Sequence, residues 1–349
     1  MRSIDLRVDV TEAAGLDEPA HLALTVTAPD ELPADYPPIV CFAKPGAGYS
    51  RGYFTEALPG PAPGVAAGAQ ADWHASRGWI VVAVDHLGVG ESSQHDAERL
   101  AYTPVAAASQ AAEAEVRQKL AAGTLLDGLG PVTDPVTVGI GQSMGGALTI
   151  VQQGRFHCYD GIGVLGYSPL RTQPPAEPGL LPIGLPWLGR DTLPSDGVFT
   201  NGFALALDLE QAGGQTASMA WGFHFDDIPA ELVAQDMDGY PLRGGAMPAW
   251  GSAGIPMTVA LWSVTPGGAL AEAAAVRTPV LVALGERDVL VDPRGETRAY
   301  ESSPSVDFFV CPRMAHMHNF AGTREVFWRR IHTWGEWVRA WTAADRSDG

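Results

Sequence analysis

Six short, continuous apolar runs place the strongest limit on what this chain of 349 residues can fold into. Runs of this kind are typical of strands that are buried on both faces of a sheet. They lie at residues 37–43, 78–85, 135–141, 161–167, 278–285 and 306–311. Helix-compatible segments lie between some of them, at residues 106–123 and 144–156. The alternation predicts an α/β fold with a mostly parallel sheet that is covered by helices on both sides.

At the two ends of the chain, apolar residues recur with other periodicities. Apolar side chains recur at every second position through residues 4–10 and 22–26, which predicts two half-buried strands in an antiparallel start. Near the other end, apolar residues from Phe327 to Trp341 recur at steps of four and three. That spacing predicts an amphipathic helix, with Thr323 at its N-cap.

One segment, residues 169–269, breaks the alternation of strand and helix. It is rich in Pro, Gly, Trp and Met, and it contains only short helix-compatible stretches. Loops of that length without packing of their own are uncommon in compact domains. We therefore predict a core formed by residues 1–168 and 270–349 and an inserted cap formed by residues 169–269, with a set of long surface loops as the alternative.

The stretch VTVGIGQSMGGAL (136–148) places Ser143 between glycines, after a predicted strand and before a predicted helix. A serine on such a sharp turn presents its hydroxyl above the sheet, and Gly141 and Gly145 leave room where strand and helix crowd each other. A serine hydroxyl is a poor nucleophile near neutral pH, so it needs a base that is oriented by a carboxylate. The alternative is a small loop residue without chemistry.

Candidates for the carboxylate and the base follow the last two apolar runs. Asp288 lies just past the fifth run, with Glu286 and Asp292 as rival carboxylates. His316 and His318 lie past the sixth run. Residues that face ligands gather beyond the carboxyl ends of strands in open α/β sheets, so both groups are expected at that edge.

Five landmarks in this order resemble those of the α/β-hydrolase fold family. They are CFAKPGAGY (41–49), VVAVDHLGVGESS (81–93), GQSMGG (141–146), LVALGERDVLVDP (281–293) and RMAHMHNF (313–320). The resemblance implies a mostly parallel central sheet flanked by helices, with an inserted cap.

The same resemblance implies a role for each of five residues. Ser143 is the nucleophile, Asp288 the acid and His316 the base. The backbone N–H groups of Ala47 and Met144 form the oxyanion hole. The implied activity is that of a serine hydrolase that cleaves a carboxylic ester or lactone, of apolar character, through an acyl-enzyme and without a cofactor.

Other functions stay open on the same residues. An acyltransferase, a thioesterase or a carbon–carbon bond hydrolase uses the same three groups, and a non-catalytic ligand-binding protein can keep the fold. Metal binding at His316 and His318 is not predicted, because no cluster of further ligands accompanies them. Lys44, next to the predicted oxyanion loop, is expected to be a solvated loop residue.

The composition limits the classes of binding partner that the chain is expected to have. The formal net charge of −18 argues against binding to nucleic acid or to an anionic membrane surface. No signal-peptide or membrane-span pattern occurs, which predicts a cytoplasmic protein. A small-molecule ester-type substrate is what the resemblance implies. Three widely spaced cysteines predict no disulfide framework. The sequence leaves the oligomeric state open, with a homodimer among the alternatives.

Overall fold

A computed structural model describes residues 1–60, 67–185, 187–190, 192 and 218–347. Eight strands form one sheet: β1 (Arg2–Asp9), β2 (His21–Ala28), β3 (Ile39–Lys44), β4 (Ile80–Val84), β5 (Val136–Gln142), β6 (Gly161–Leu165), β7 (Val280–Arg287) and β8 (Val306–Ala315). Their order across the sheet is β1-β2-β4-β3-β5-β6-β7-β8.

The direction of the strands divides the sheet into two parts. β1 pairs antiparallel with β2, and β2 pairs antiparallel with β4. The strands from β3 to β8 run parallel to one another. Each of these six strands overlaps one of the six apolar runs. The predicted mostly parallel sheet with an antiparallel start is confirmed.

Helices cover both faces of this sheet. In the described part of the chain they are α1 (Thr11–Ala14), α2 (Gly52–Thr55), α3 (Gln70–Ala75), α4 (Tyr102–Ala122), α5 (Met144–Phe156), α6 (Met219–Phe223), α7 (Ala230–Met237), α8 (Met257–Val264), α9 (Leu270–Ala275) and α10 (Arg324–Ser347). Two 3₁₀ helices span Pro293–Ala299 and His318–Phe320.

Alternate residues of β3 show how the core divides between the faces. Phe42 belongs to the apolar cluster that contains buried residues of α4 and α5. Cys41, its neighbour, belongs to a second cluster with Trp79 and with Phe327 and Trp334 of α10. Successive side chains of a strand point to opposite faces, so a strand between two helical layers needs a continuous apolar run.

The predicted cap, residues 169–269, is described in part. Residues 186, 191 and 193–217 of it lie outside the described residues. Of the rest, α8 packs with the first apolar cluster through Val259 and Leu261. Phe223 of α6 and Leu232 of α7 belong to the second cluster. The division into core and cap stays a prediction.

One expectation about a single side chain is wrong. Lys44 is the last residue of β3 and is fully buried rather than solvated. Thr323 directly precedes α10, as expected, and its carbonyl accepts the backbone N–H groups of Val326 and Phe327 in the first turn. Its hydroxyl donates to the Pro312 carbonyl at 3.0 Å. Within the described ranges, no helix has the length and apolar character that a membrane crossing requires.

Candidate active site

Ser143 lies on a tight turn between β5 and α5. Its φ of 53° and ψ of −122° are uncommon for a residue with a side chain. A Cβ atom at Gly145 would collide with the carbonyl oxygen of Lys44, and one at Gly141 would collide with the carbonyl oxygen of Gly145. Gly141 therefore allows β5 and α5 to approach closely at this turn, and Gly145 allows α5 to approach the end of β3.

The register of β7 and β8 brings Asp288 and His316 together. Arg287 pairs with Ala315 in the sheet, so the next residue of each strand leaves the sheet at the same level. His316 donates from Nδ1 to Oδ1 of Asp288 at 2.6 Å, and both side chains are buried. With its proton on Nδ1, the His316 ring presents Nε2 as a hydrogen-bond acceptor.

Ser143 and His316 line one cavity of about 70 Å³, together with Ala47 and Met144. The structure thus brings the five predicted site residues to one place, four on the cavity and Asp288 behind His316. The other lining residues are mostly apolar: Thr172, Pro174, Leu185, Met219, Phe223, Tyr240, Pro241, Ala260, Ser263, Val264 and Val289.

Gln142, the residue before Ser143, also contacts His316. Its buried amide nitrogen donates to the His316 carbonyl oxygen at 3.1 Å and lies 3.3 Å from Nε2 of the same residue. His316 is therefore held at its backbone and at both ring nitrogens. Sequence reasoning missed Gln142, although its place directly before the serine puts it at the end of β5.

The rival residues have other partners. Glu286 accepts the backbone N–H of Arg313 at 2.8 Å, and Asp292 caps a 3₁₀ helix and pairs with Arg298. His318 donates from Nε2 to Oδ2 of Asp288 at 2.8 Å. One carboxylate thus accepts from both histidines.

The electrostatics of Asp288 follow from these contacts. Burial disfavours its charged form, but the two histidines and their hydrogen bonds outweigh that cost and hold the pKa of Asp288 well below its usual range. Burial lowers the pKa of His318, and the attraction of Asp288 offsets this only in part. Asp288 is therefore ionised, and the neighbouring His318 is neutral.

A buried ion pair lies behind the loop that carries Ala47. Lys44 donates from Nζ to Oε1 of Glu113 at 2.6 Å and to the Tyr159 hydroxyl at 2.7 Å. The Tyr159 hydroxyl donates to Oε2 of Glu113 at 2.6 Å. Lys44 is thereby fixed at the end of β3, where the loop begins.

The described part of residues 219–251 is bound to the loops of the site. The Tyr49 hydroxyl donates to Asp236 at 2.6 Å, and the Trp250 indole donates to the same carboxylate at 2.7 Å. The Met317 N–H donates to the Phe223 carbonyl at 2.9 Å. The Tyr49 bond joins the segment to the loop after β3, and the Met317 bond joins it to the loop of His316.

Comparisons with known proteins show that this chain is similar in three-dimensional structure to several solved proteins. No protein-family model matches the sequence, and no curated protein matches it. An esterase from Thermogutta terrifontis, solved with malate bound, aligns over 96% of this chain and 99% of its own, with 15% identity and a TM-score of 0.54.

Two further solved structures align over similar lengths. A soluble variant of monoglyceride lipase from Saccharomyces cerevisiae covers 91% of this chain and 92% of its own, with 14% identity and a TM-score of 0.55. A haloalkane dehalogenase loop variant from Bradyrhizobium elkanii covers 99% of this chain and 100% of its own, with 14% identity and a TM-score of 0.55. At such identities the likeness concerns the fold.

Proposed function

We propose that this chain, which has the α/β-hydrolase fold, is a serine hydrolase that cleaves a carboxylic ester or a lactone through an acyl-enzyme. The shared cavity carries the proposal, because Ser143 and His316 both line it while His316 donates to Asp288 at 2.6 Å. A nucleophile, a base and an orienting acid in this relation are the groups that acyl transfer through serine requires.

The proposed cycle begins when His316 takes the proton of Ser143 at Nε2 as the serine oxygen attacks the substrate carbonyl. Asp288 stabilises the imidazolium, and the backbone N–H groups of Ala47 and Met144 donate to the oxyanion. The imidazolium then protonates the leaving alcohol. Water, deprotonated by His316, then attacks the acyl group. His316 returns this proton to the oxygen of Ser143 as the acid is released. For the first step, Nε2 of His316 turns from the Gln142 amide to the serine hydroxyl.

The cavity favours a short, apolar acyl group. Its volume of about 70 Å³ is small beside the roughly 300–1,000 Å³ of sites for larger ligands. Among the described lining residues, no Asp, Glu, Lys or Arg is present, so a charged acyl group would be buried without a partner. The hydroxyl groups at the cavity belong to Ser143, Thr172, Tyr240 and Ser263.

A fluorophosphonate probe tests the proposal directly. We expect covalent labelling at Ser143, loss of labelling in Ser143→Ala, and retention in Ser263→Ala, a serine of the same cavity that donates to the Ala260 carbonyl at 2.8 Å. Folded wild-type protein that stays unlabelled would sink the proposal.

Turnover of chromogenic esters tests the substrate class. We expect kcat/KM to be highest for short, apolar acyl groups and to fall as the acyl chain becomes longer. Partition of the acyl group between water and an added alcohol distinguishes hydrolysis from acyl transfer on the same residues. Hydrolysis predicts the free acid as the main product.

A further inference from the structure

His318 is the second histidine on the carboxylate of Asp288, and the proposed cycle gives it no task. His316 donates to Oδ1 at 2.6 Å, and His318 donates from Nε2 to Oδ2 at 2.8 Å. The two rings therefore bind opposite oxygens of one acid. Within the described residues, His318 is not among those that line the cavity.

Backbone groups complete the set of donors around Asp288. The N–H of Gly285 donates to Oδ2, and the N–H of Val289 donates to Oδ1, each at 2.8 Å. Each oxygen then has two donors, which matches the acceptor capacity of an ionised carboxylate. The carboxylate cannot rotate without breaking several of these bonds, so its orientation towards His316 is fixed.

The position of His318 is itself strongly constrained. The next residue, Asn319, donates to the Tyr53 carbonyl at 2.9 Å and accepts the Trp328 indole N–H at 2.7 Å. The His318 ring packs on Phe327, with 4.5 Å between ring centroids. A Cβ at Gly166 would lie 2.9 Å from Cε1 of His318, so the glycine leaves room for the ring.

The hydrogen bonds also define the protonation of His318. Because Nε2 donates to Asp288, a second proton would have to sit on Nδ1. That atom is buried and has no hydrogen-bond partner in the described part of the chain. A proton there would be a buried N–H donor without an acceptor, so His318 is neutral and acts as a single donor.

We propose that His318 is a positioning residue for the base, a role that rests on the serine hydrolase proposed above. It holds Asp288 in the orientation that His316 needs, and it withdraws electron density from the carboxylate. A carboxylate with one donor fewer stabilises protonated His316 more strongly. His318 therefore keeps His316 unprotonated, and active, to lower pH than Asp288 would allow without it.

Other titratable or charged groups lie on the elements around this cluster. They are Tyr53 on α2, His224 and Asp236 between α6 and the end of α7, Arg287 on β7 and Arg324 on α10. Burial raises the pKa of Tyr53, which keeps its hydroxyl neutral.

The remaining groups have partners of their own. His224 and Asp236 lie 2.9 Å apart, and Arg287 donates to Asp226 at 2.9 Å. Arg324 donates to the Asn319 carbonyl at 3.1 Å. Asp288, His316 and His318 are thus the groups that set the low-pH side of the activity profile.

Substitutions of His318 test this role. His318→Phe keeps a ring but removes the donor, and His318→Asn has an amide too short to reach Asp288. For both we expect kcat to fall on the order of tenfold at nearly unchanged KM, by analogy with other orienting partners. We also expect the acid limb of the kcat/KM profile to move to higher pH. The amide of His318→Gln reaches the position of Nε2, so this variant should return the acid limb of the kcat/KM profile to its wild-type pH.

Phe327→Leu is the matched structural control, because it loosens the packing on His318 and keeps the donor. Its acid limb should coincide with that of the wild type. A role in packing alone would lower the amplitude of all variants without moving the limb. An unmoved limb in His318→Phe or His318→Asn, or an equal shift in Phe327→Leu, would overturn the positioning role.

NMR titration of the histidine ring signals provides a readout that does not depend on turnover. We expect His316 to take up its proton at higher pH in His318→Asn than in the wild type. If Ser143 is not labelled but this difference is present, the hydrolase proposal fails and the effect on the base stands. If Ser143 is labelled and the difference is absent, the positioning role fails alone.

Discussion

Lys44 and Glu113 form an ion pair that solvent does not reach, with 2.6 Å between Nζ and Oε1 and both side chains 0% exposed. Removal of one partner leaves the other charge buried and unpaired. We therefore expect Lys44→Met to lower the free energy of unfolding by about 3–5 kcal/mol. Urea denaturation measures this change.

The other lysine of the chain provides the control. Lys119 lies on α4, 40% exposed, and pairs with Glu115 at 2.7 Å. Lys119→Met should cost less than about 1 kcal/mol, as for other surface pairs. The double variant Lys44→Met/Glu113→Leu should recover most of the loss, since it removes both charges. Equal effects of the two lysine substitutions would contradict a burial-dependent role for Lys44.

Asp288→Asn is expected to reduce kcat by a factor on the order of 10³–10⁴ while the protein stays folded. An amide in place of the carboxylate favours the wrong tautomer of His316 and no longer stabilises its protonated form. Asp292→Asn is the matched control, because Asp292 lies on the same loop with its side chain 61% exposed. Steady-state kinetics of both variants decide the matter, and comparable losses would reject Asp288 as the acid.

Gly145→Ala is expected to destabilise the fold by at least about 2 kcal/mol, because the added methyl collides with the Lys44 carbonyl. Labelling of Ser143 should fall as well, since the turn must open to relieve the collision. Gly130→Ala provides the comparison, as no atom lies within 4 Å of a Cβ built there. Thermal unfolding followed by circular dichroism measures both. A Gly145→Ala protein as stable as Gly130→Ala would argue against the close approach of α5 to the end of β3.

Glu296 should make stability depend on pH. It accepts the Ser168 hydroxyl at 2.7 Å, and burial raises its pKa to about 7. The folded protein therefore binds a proton that the unfolded chain releases near its ordinary pKa of about 4.5. Stability from this group is present below the ordinary pKa and is lost as pH rises through about 7.

Glu296→Gln keeps the shape of the side chain and cannot ionise. At pH 8 it should raise the free energy of unfolding by up to about 3 kcal/mol, with little change at pH 4. Glu286→Gln, on an exposed carboxylate, serves as the control. Urea denaturation at both pH values measures the change in the free energy of unfolding. An equal increase at pH 4 and at pH 8 would contradict a raised pKa for Glu296.

The sheet could be predicted because burial on both faces demands continuous apolar runs. β3 and β5 are buried along their whole lengths and match the runs at 37–43 and 135–141 closely. Ser143 could be located for a similar reason, since its turn depends on residues within a few positions. Both features depend on adjacent residues, so local sequence patterns are sufficient to predict them.

The contacts of Lys44, Gln142 and His318 could not be predicted because they depend on distant segments. Lys44 is stabilised in the core by Glu113 and Tyr159, which no pattern around position 44 indicates. Whether His318 reaches Asp288 depends on the register of β7 and β8 and on the 3₁₀ turn after His316. Neither the register nor that turn has a local signature.

The order of the strands affects when the proposed active site is assembled during folding. The serine comes from the centre of the sheet, but the acid and the base come from β7 and β8, which complete the edge beyond β6. A chain in which β7 and β8 have not yet paired has the nucleophile without its base. Recovery of probe labelling during refolding should therefore lag behind the formation of the central strands, and it would report the completion of the sheet rather than its nucleation.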